Sequence, residues 1–146
     1  MDLENGVPRS PYESLGGIVF LPRAIDKIHA DIAGTLGEYY SRTGFSETLF
    51  EFLGIDPDRL IEALRTRPTD AEVQIWIEAN MPPRTQDEIR AWNHMMMTRT
   101  PDTPESKARY KKMLEDLGQS HRTDLTRQFD RLDLDEGRDV PIGGRH

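Results

Sequence analysis

Cysteine is absent from the 146 residues, which excludes disulfides, thiolate nucleophiles, iron–sulfur clusters and Cys-type zinc sites. The chain also lacks any run of Lys and Arg. With 26 acidic against 19 basic residues and a net charge of −7, its field repels polyphosphate, and no nucleic-acid partner is expected. No apolar stretch approaches the roughly 20 residues of a spanning helix. The opening MDLENGVPRSPYESLGG has neither a basic start nor a long apolar region. A soluble, cytoplasmic protein without membrane contact is the expectation. Missing too are a phosphate-cradling glycine loop, a GxSxG elbow and a complete metal-ligand set, so neither a metal nor a cofactor is predicted.

What is present is punctuation for helices. Pro8 and Pro11 forbid a regular helix near the start, so residues 1–17 are read as an extended arm, with Tyr12 and Leu15 as anchors. Leu21, Ala24, Ile25, Ile28 and Ile32 recur at spacings of three and four, the rhythm of one helix face. Pro22 suits a first turn and Gly34 a C-terminal stop. Ser46 is the expected N-cap of the next helix, with Phe45 and Phe50 as its hydrophobic staple and Gly54 as its end.

Asp56 before Pro57 starts another helix, carrying Leu60, Ile61 and Leu64 inward. Thr69 with Glu72, and Thr85 with Glu88, fit the capping box. Thr103 before Pro104 opens what should be the longest helix, and a final one is expected from near Asp124 with Leu125, Phe129 and Leu132 facing in. Alternation of period two is nearly absent, and no hairpin dipeptide between strand-like runs stands out. The predicted fold is all-α: a single compact domain of six to seven short helices over residues 18–134, with an irregular tail at 135–146.

Chemistry concentrates between Ile18 and Tyr40. At 100° per residue, Arg23, Asp26 and Lys27 share the helix face opposite the apolar stripe. Two readings of that face stay open. It can be solvated, with Arg23 meeting Asp26 and Lys27 meeting Asp31 along the helix. Alternatively it lines a cleft against the GEYY turn at residues 37–40. In the cleft, Arg23 and Lys27 hold a small anionic or carbonyl ligand beside Tyr40, Glu38 moves a proton and the Tyr39 phenol donates to the developing oxyanion. Asp26 and His29, spaced i,i+3, can form a carboxylate–imidazole pair that orients a general base.

Other segments yield less. Met95, Met96 and Met97 beside Trp92 suggest a protein-binding helix as the alternative function. The run Asp133, Asp135, Glu136, Gly137 resembles a calcium loop, but its glycine comes one residue early and no Glu stands at the twelfth position. Ser120, His121 and Asp124 lie too close together for a hydrolase triad.

Several segments together resemble one bacterial family. LGG at Leu15–Gly17, LPRAIDK at Leu21–Lys27, GEY at Gly37–Tyr39, FLGID at Phe52–Asp56 and LDLDEGR at Leu132–Arg138 are similar to the domain of unknown function 5069. The resemblance runs along nearly the whole chain and implies shared fold and ancestry, without implying a reaction. The family pattern has Cys-Pro-Leu-Asp after the GEY segment, where this chain has Thr43, Gly44, Phe45 and Ser46. A function common to the family would therefore not depend on that thiol.

Overall fold

A computed structural model describes residues 1–145. The protein is mostly helical, and its chain divides into two compact units, Met1–Ile89 and Arg90–His146. In order, the elements are β1 (Ser14–Leu15), β2 (Ile18–Val19), α1 (Leu21–Ala33), α2 (Phe45–Leu53), α3 (Pro57–Leu64), α4 (Asp70–Asn80), α5 (Gln86–Thr98), α6 (Pro104–Asp116) and α7 (Gln128–Asp135). No helix among the described residues is long and apolar enough to cross a membrane.

In the first unit, α1 packs on α3 and on β1, and α3 packs on α4. The core is supplied by Leu21, Ile25 and Ile28 of α1, Leu49 and Leu53 of α2, Leu60 and Leu64 of α3, and Val73 and Ile77 of α4. Helix boundaries follow the punctuation. The Asp56 carboxylate accepts from the Asp58 amide, the Thr69 hydroxyl accepts from the Glu72 amide, and Gly34 and Gly54 end their helices in left-handed conformations. Thr85 and Glu88 satisfy each other's amides in a full capping box.

Three local expectations need correction. Gly16 and Gly17 are a hairpin dipeptide after all: both have positive φ, and Ser14 pairs with Val19 and Leu15 with Ile18 across them. This is the backbone demanded by a tight two-residue turn of the primed type. Second, the N-cap of α2 is Gly44, and no side chain caps it. Ser46 lies inside the helix with its hydroxyl 3.5 Å from Lys27 Nζ, while the Phe45 ring packs against Phe20 at 5.8 Å. Third, α6 is no longer than α1 or α5.

The N-terminal arm is bound rather than loose. Leu3, Pro8, Ser10 and Pro11 are buried, the Leu3 amide donates to the Thr35 carbonyl, and the Thr35 hydroxyl donates to the Met1 carbonyl. Where it crosses the GEYY turn the fit is close: a Cβ on Gly37, whose φ is 61°, would stand 2.9 Å from the Leu3 carbonyl oxygen.

In the second unit, Tyr110, Leu114, Leu125 and Val140 form a buried cluster with Met113 and Leu134 against it. The Tyr110 hydroxyl donates to the Arg127 carbonyl, and burial pushes its phenol up to about 12, so it stays a neutral donor. Leu125 faces in as expected, but from an irregular segment that precedes α7. The segment after α7 is irregular and firmly held. The Gly143 amide donates to Asp124, the Arg145 amide to Asp130, and the buried Asp133 meets both Arg138 and Arg145.

Candidate functional site

The charged face of α1 is not solvated. Arg23 is 2% exposed, Asp26 9% and Lys27 8%, because the arm and the start of α2 lie across it. Burying an ionised side chain carries a penalty of several kcal/mol, so each of these groups must be held by its surroundings.

Asp26 is held by a residue that helical spacing cannot reveal. The Arg9 backbone amide donates to Asp26 Oδ2 at 2.9 Å, Arg9 Nε donates to the same oxygen at 3.1 Å, and Arg9 Nη2 donates to Oδ1 at 3.1 Å. The same guanidinium grips Asp70 at the start of α4, with Nη1–Oδ2 at 2.5 Å and Nη2–Oδ1 at 3.0 Å. Between two carboxylates, Arg9 is pushed far above its ordinary pKa and in turn holds the Asp70 carboxyl below its own. One forked cation thus ties the arm to α1 and α4.

Arg23 and Lys27 meet at an aromatic ring. Phe20 supplies it, with Arg23 Cζ 6.0 Å and Lys27 Nζ 5.6 Å from its centroid. Desolvated cation–π contacts of this kind contribute about 2 kcal/mol. Arg23 also stands 5.8 Å from the Tyr39 ring and donates from Nη1 to the Arg9 carbonyl. Phe20 itself has a φ of 70°, the only positive value on a non-glycine among the described residues. An L residue in that region costs about 1–2 kcal/mol. Its amide donates to the Pro11 and Glu13 carbonyls, and its own carbonyl accepts from the Ala24 amide, closing the first turn of α1.

The remaining candidates divide. Tyr39 is half-buried and covers Arg23, whereas Glu38 is exposed and Tyr40 is 72% exposed. The structure therefore brings Arg23, Asp26, Lys27 and Tyr39 together and leaves Glu38 and Tyr40 on the outer side of the turn. His29 is not paired with Asp26; its Nε2 lies 2.9 Å from the Arg67 carbonyl. A carbonyl can only accept, so that nitrogen carries the proton. Asp31, the expected partner of Lys27, accepts instead from the Ser41 hydroxyl at 2.7 Å. Among the described residues no group of three or more His, Asp or Glu side chains is arranged to hold a metal ion.

A separate space of about 320 Å³ lies where the hairpin and Leu21 meet α4 and the segment leading to α5. Its walls are Leu15, Ile18 and Ile77, with Gln74, Glu78 and Arg84 as polar groups. It is not bordered by the charged face of α1. In the methionine helix Met96 is fully buried, Trp92 and Met97 are half-buried, and Met95 is 38% exposed.

No curated protein matches the chain. Residues 5–138 match the family model described as Domain of unknown function (DUF5069), a span that takes in the hairpin glycines, all of LPRAIDK, the GEYY turn and α7. The chain belongs to the DUF5069 family.

Proposed function

We propose that the protein binds a small anionic ligand at the charged face of α1, under the GEYY turn. The observation that carries this reading is the convergence of Arg23 and Lys27, both buried, on the ring of a strained Phe20. Strain of this sort persists only where the surrounding structure imposes it, and it concentrates at ligand sites. Arg23 and Lys27, on one buried face of α1, supply the cationic groups that a carboxylate or phosphate requires. Tyr39, lying over Arg23 on a turn whose neighbours Glu38 and Tyr40 are exposed, is the movable cover.

Metal-independent proton transfer is the reaction this arrangement would serve. The Glu38 carboxylate takes a proton from a carbon next to a carbonyl, the electron pair moves onto the carbonyl oxygen, and the Tyr39 hydroxyl donates to that oxygen. This step requires Glu38 to swing inward from its exposed position as the turn closes on ligand.

The test is thermal denaturation in phosphate or succinate against chloride at matched ionic strength. An anion present at tenfold its dissociation constant stabilises the fold by about 1.4 kcal/mol. That gain is expected with one of the two anions and is expected to vanish in Lys27→Met, which keeps the apolar stem and removes the charge. No gain over chloride, or an equal gain in Lys27→Met, would overturn the proposal.

A further inference from the structure

The second unit carries a trough of about 760 Å³ between α6 and the segment 119–126. Its floor is apolar, made by Tyr110, Leu114 and Leu125 of the buried cluster. Along one edge stand Lys107 and Lys111, one turn apart on α6, and on the other side lie the Ser120 and Thr123 hydroxyls. Arg122 adds a third cation from below, already committed to Asp124 and to the Val140 and Pro141 carbonyls. The residues lining the trough include no Asp or Glu.

That charge pattern runs against the rest of the molecule. In a chain of net charge −7, a recess with cations at its edge and no carboxylate in its lining is a local reversal of sign. Lys112, the neighbour of Lys111, is paired with Asp116 at 3.4 Å. The Lys107 and Lys111 ammonium groups, by contrast, form no ion pair with any described residue. Their i,i+4 spacing sets the two side chains side by side, 5–6 Å apart at Cβ by the usual helix geometry, roughly. Apolar walls with a few convergent polar groups are the ordinary build of a small-molecule site.

We propose that this trough binds an amphiphilic monocarboxylate, its carboxylate between Lys107 and Lys111 and its hydrocarbon body along Tyr110, Leu114 and Leu125. The floor supplies most of the affinity by removing apolar surface from water. The lysines select the head group, and the negative field of the whole protein disfavours ligands carrying several charges. The neutral Tyr110 phenol, engaged with the Arg127 carbonyl, adds no charge that would repel the carboxylate. This site is independent of the α1 face, and either can fail without the other.

The experiment is an amide NMR titration of the full chain with octanoate below its micellar range, with acetate and octyltrimethylammonium as matched probes. Octanoate is expected to saturate at one equivalent, moving the signals of Lys107, Lys111, Leu114 and Leu125 and leaving those of Arg23 and Lys27 in place. Acetate, lacking the chain, should bind at least about tenfold more weakly, since each buried methylene contributes about 0.8 kcal/mol. The variant Lys107→Gln/Lys111→Gln changes only exposed side chains and should weaken octanoate about tenfold through loss of its charge-assisted contacts. Equal binding of acetate or of the cationic amphiphile, or an unchanged octanoate affinity in the double variant, would overturn the assignment.

Discussion

Replacing Asp26 with Ala removes the acceptor that joins the arm to α1. The carboxylate takes the Arg9 backbone amide, Nε and Nη2, all within 3.1 Å. Breaking a fully buried ion pair from one side costs about 3–5 kcal/mol. Here the Arg9 side chain is 33% exposed and keeps Asp70, so solvent and the second carboxylate absorb part of that loss and bring it below the fully buried range, to about 2 kcal/mol. The orphaned Arg9 amide adds about 1 kcal/mol. The sum is about 3 kcal/mol, a fall in Tm of about 6–12 °C for a chain of this size. Urea melts of Asp26→Ala, Asp26→Asn and Arg9→Met, combined with their double variant, test it. Asn retains an acceptor oxygen and should cost about half as much, and the cycle with Arg9→Met should return a coupling of about 1.5–3 kcal/mol. A change below about 0.5 kcal/mol in Asp26→Ala, the size of an ordinary surface substitution, would refute the view that this pair fastens the arm.

Two further predictions concern the segment after α7. A Cβ on Gly144, whose φ is 83°, would collide with Asp130 Oδ2, whereas one on Gly137 at φ 85° meets nothing within 4 Å. Gly137→Ala should therefore lose only the conformational term of about 1–2 kcal/mol, and Gly144→Ala at least ~2 kcal/mol more through forced displacement of Asp130 or of the strand of chain that carries Gly144. Denaturant melts compare the two directly, and equal losses would contradict the close approach. The Asp124 carboxyl, held down to about 2 by Arg122 and by the Gly143 amide, has a depressed folded-state value. Its contribution is thus fully present above pH 3.8 and is lost as the pH falls from there through about 2. Hydrogen exchange at the Gly143 amide should accelerate over that acid window, and an NMR titration placing Asp124 at or above 3.8 would show the reasoning to be wrong.

How much of this was legible beforehand varies with the range of the interactions. Capping pairs such as Asp56 with Pro57 and Thr85 with Glu88 act over three residues or fewer, so they can be read directly, and with them the helical fold. Strands of two residues are too short to display alternation, which hid the hairpin although Gly16 and Gly17 announce its turn. The helical wheel placed Arg23, Asp26 and Lys27 on one face but carries no information about what covers that face. Arg9 reaches Asp26 across 17 positions and Asp70 across 61, and no periodicity encodes such distances. Ser46 looked like a cap because serine caps helices often; Gly44 takes that place by adopting a backbone with φ 65°, which frees the Ser46 hydroxyl to face Lys27.

The reach of Arg9 has a consequence for biosynthesis. Ribosomes extend a chain at about 5–20 residues per second, so Asp70 follows Arg9, 61 positions earlier, by about 3–12 s. From the emergence of Asp26, 17 positions after Arg9, until that of Asp70 the arm has only the α1 half of its final set of partners. The arm, made before α1, is accordingly locked in place only after α4, and a nascent chain stalled before α4 would leave the Arg9 guanidinium without Asp70 and the arm more open to proteases.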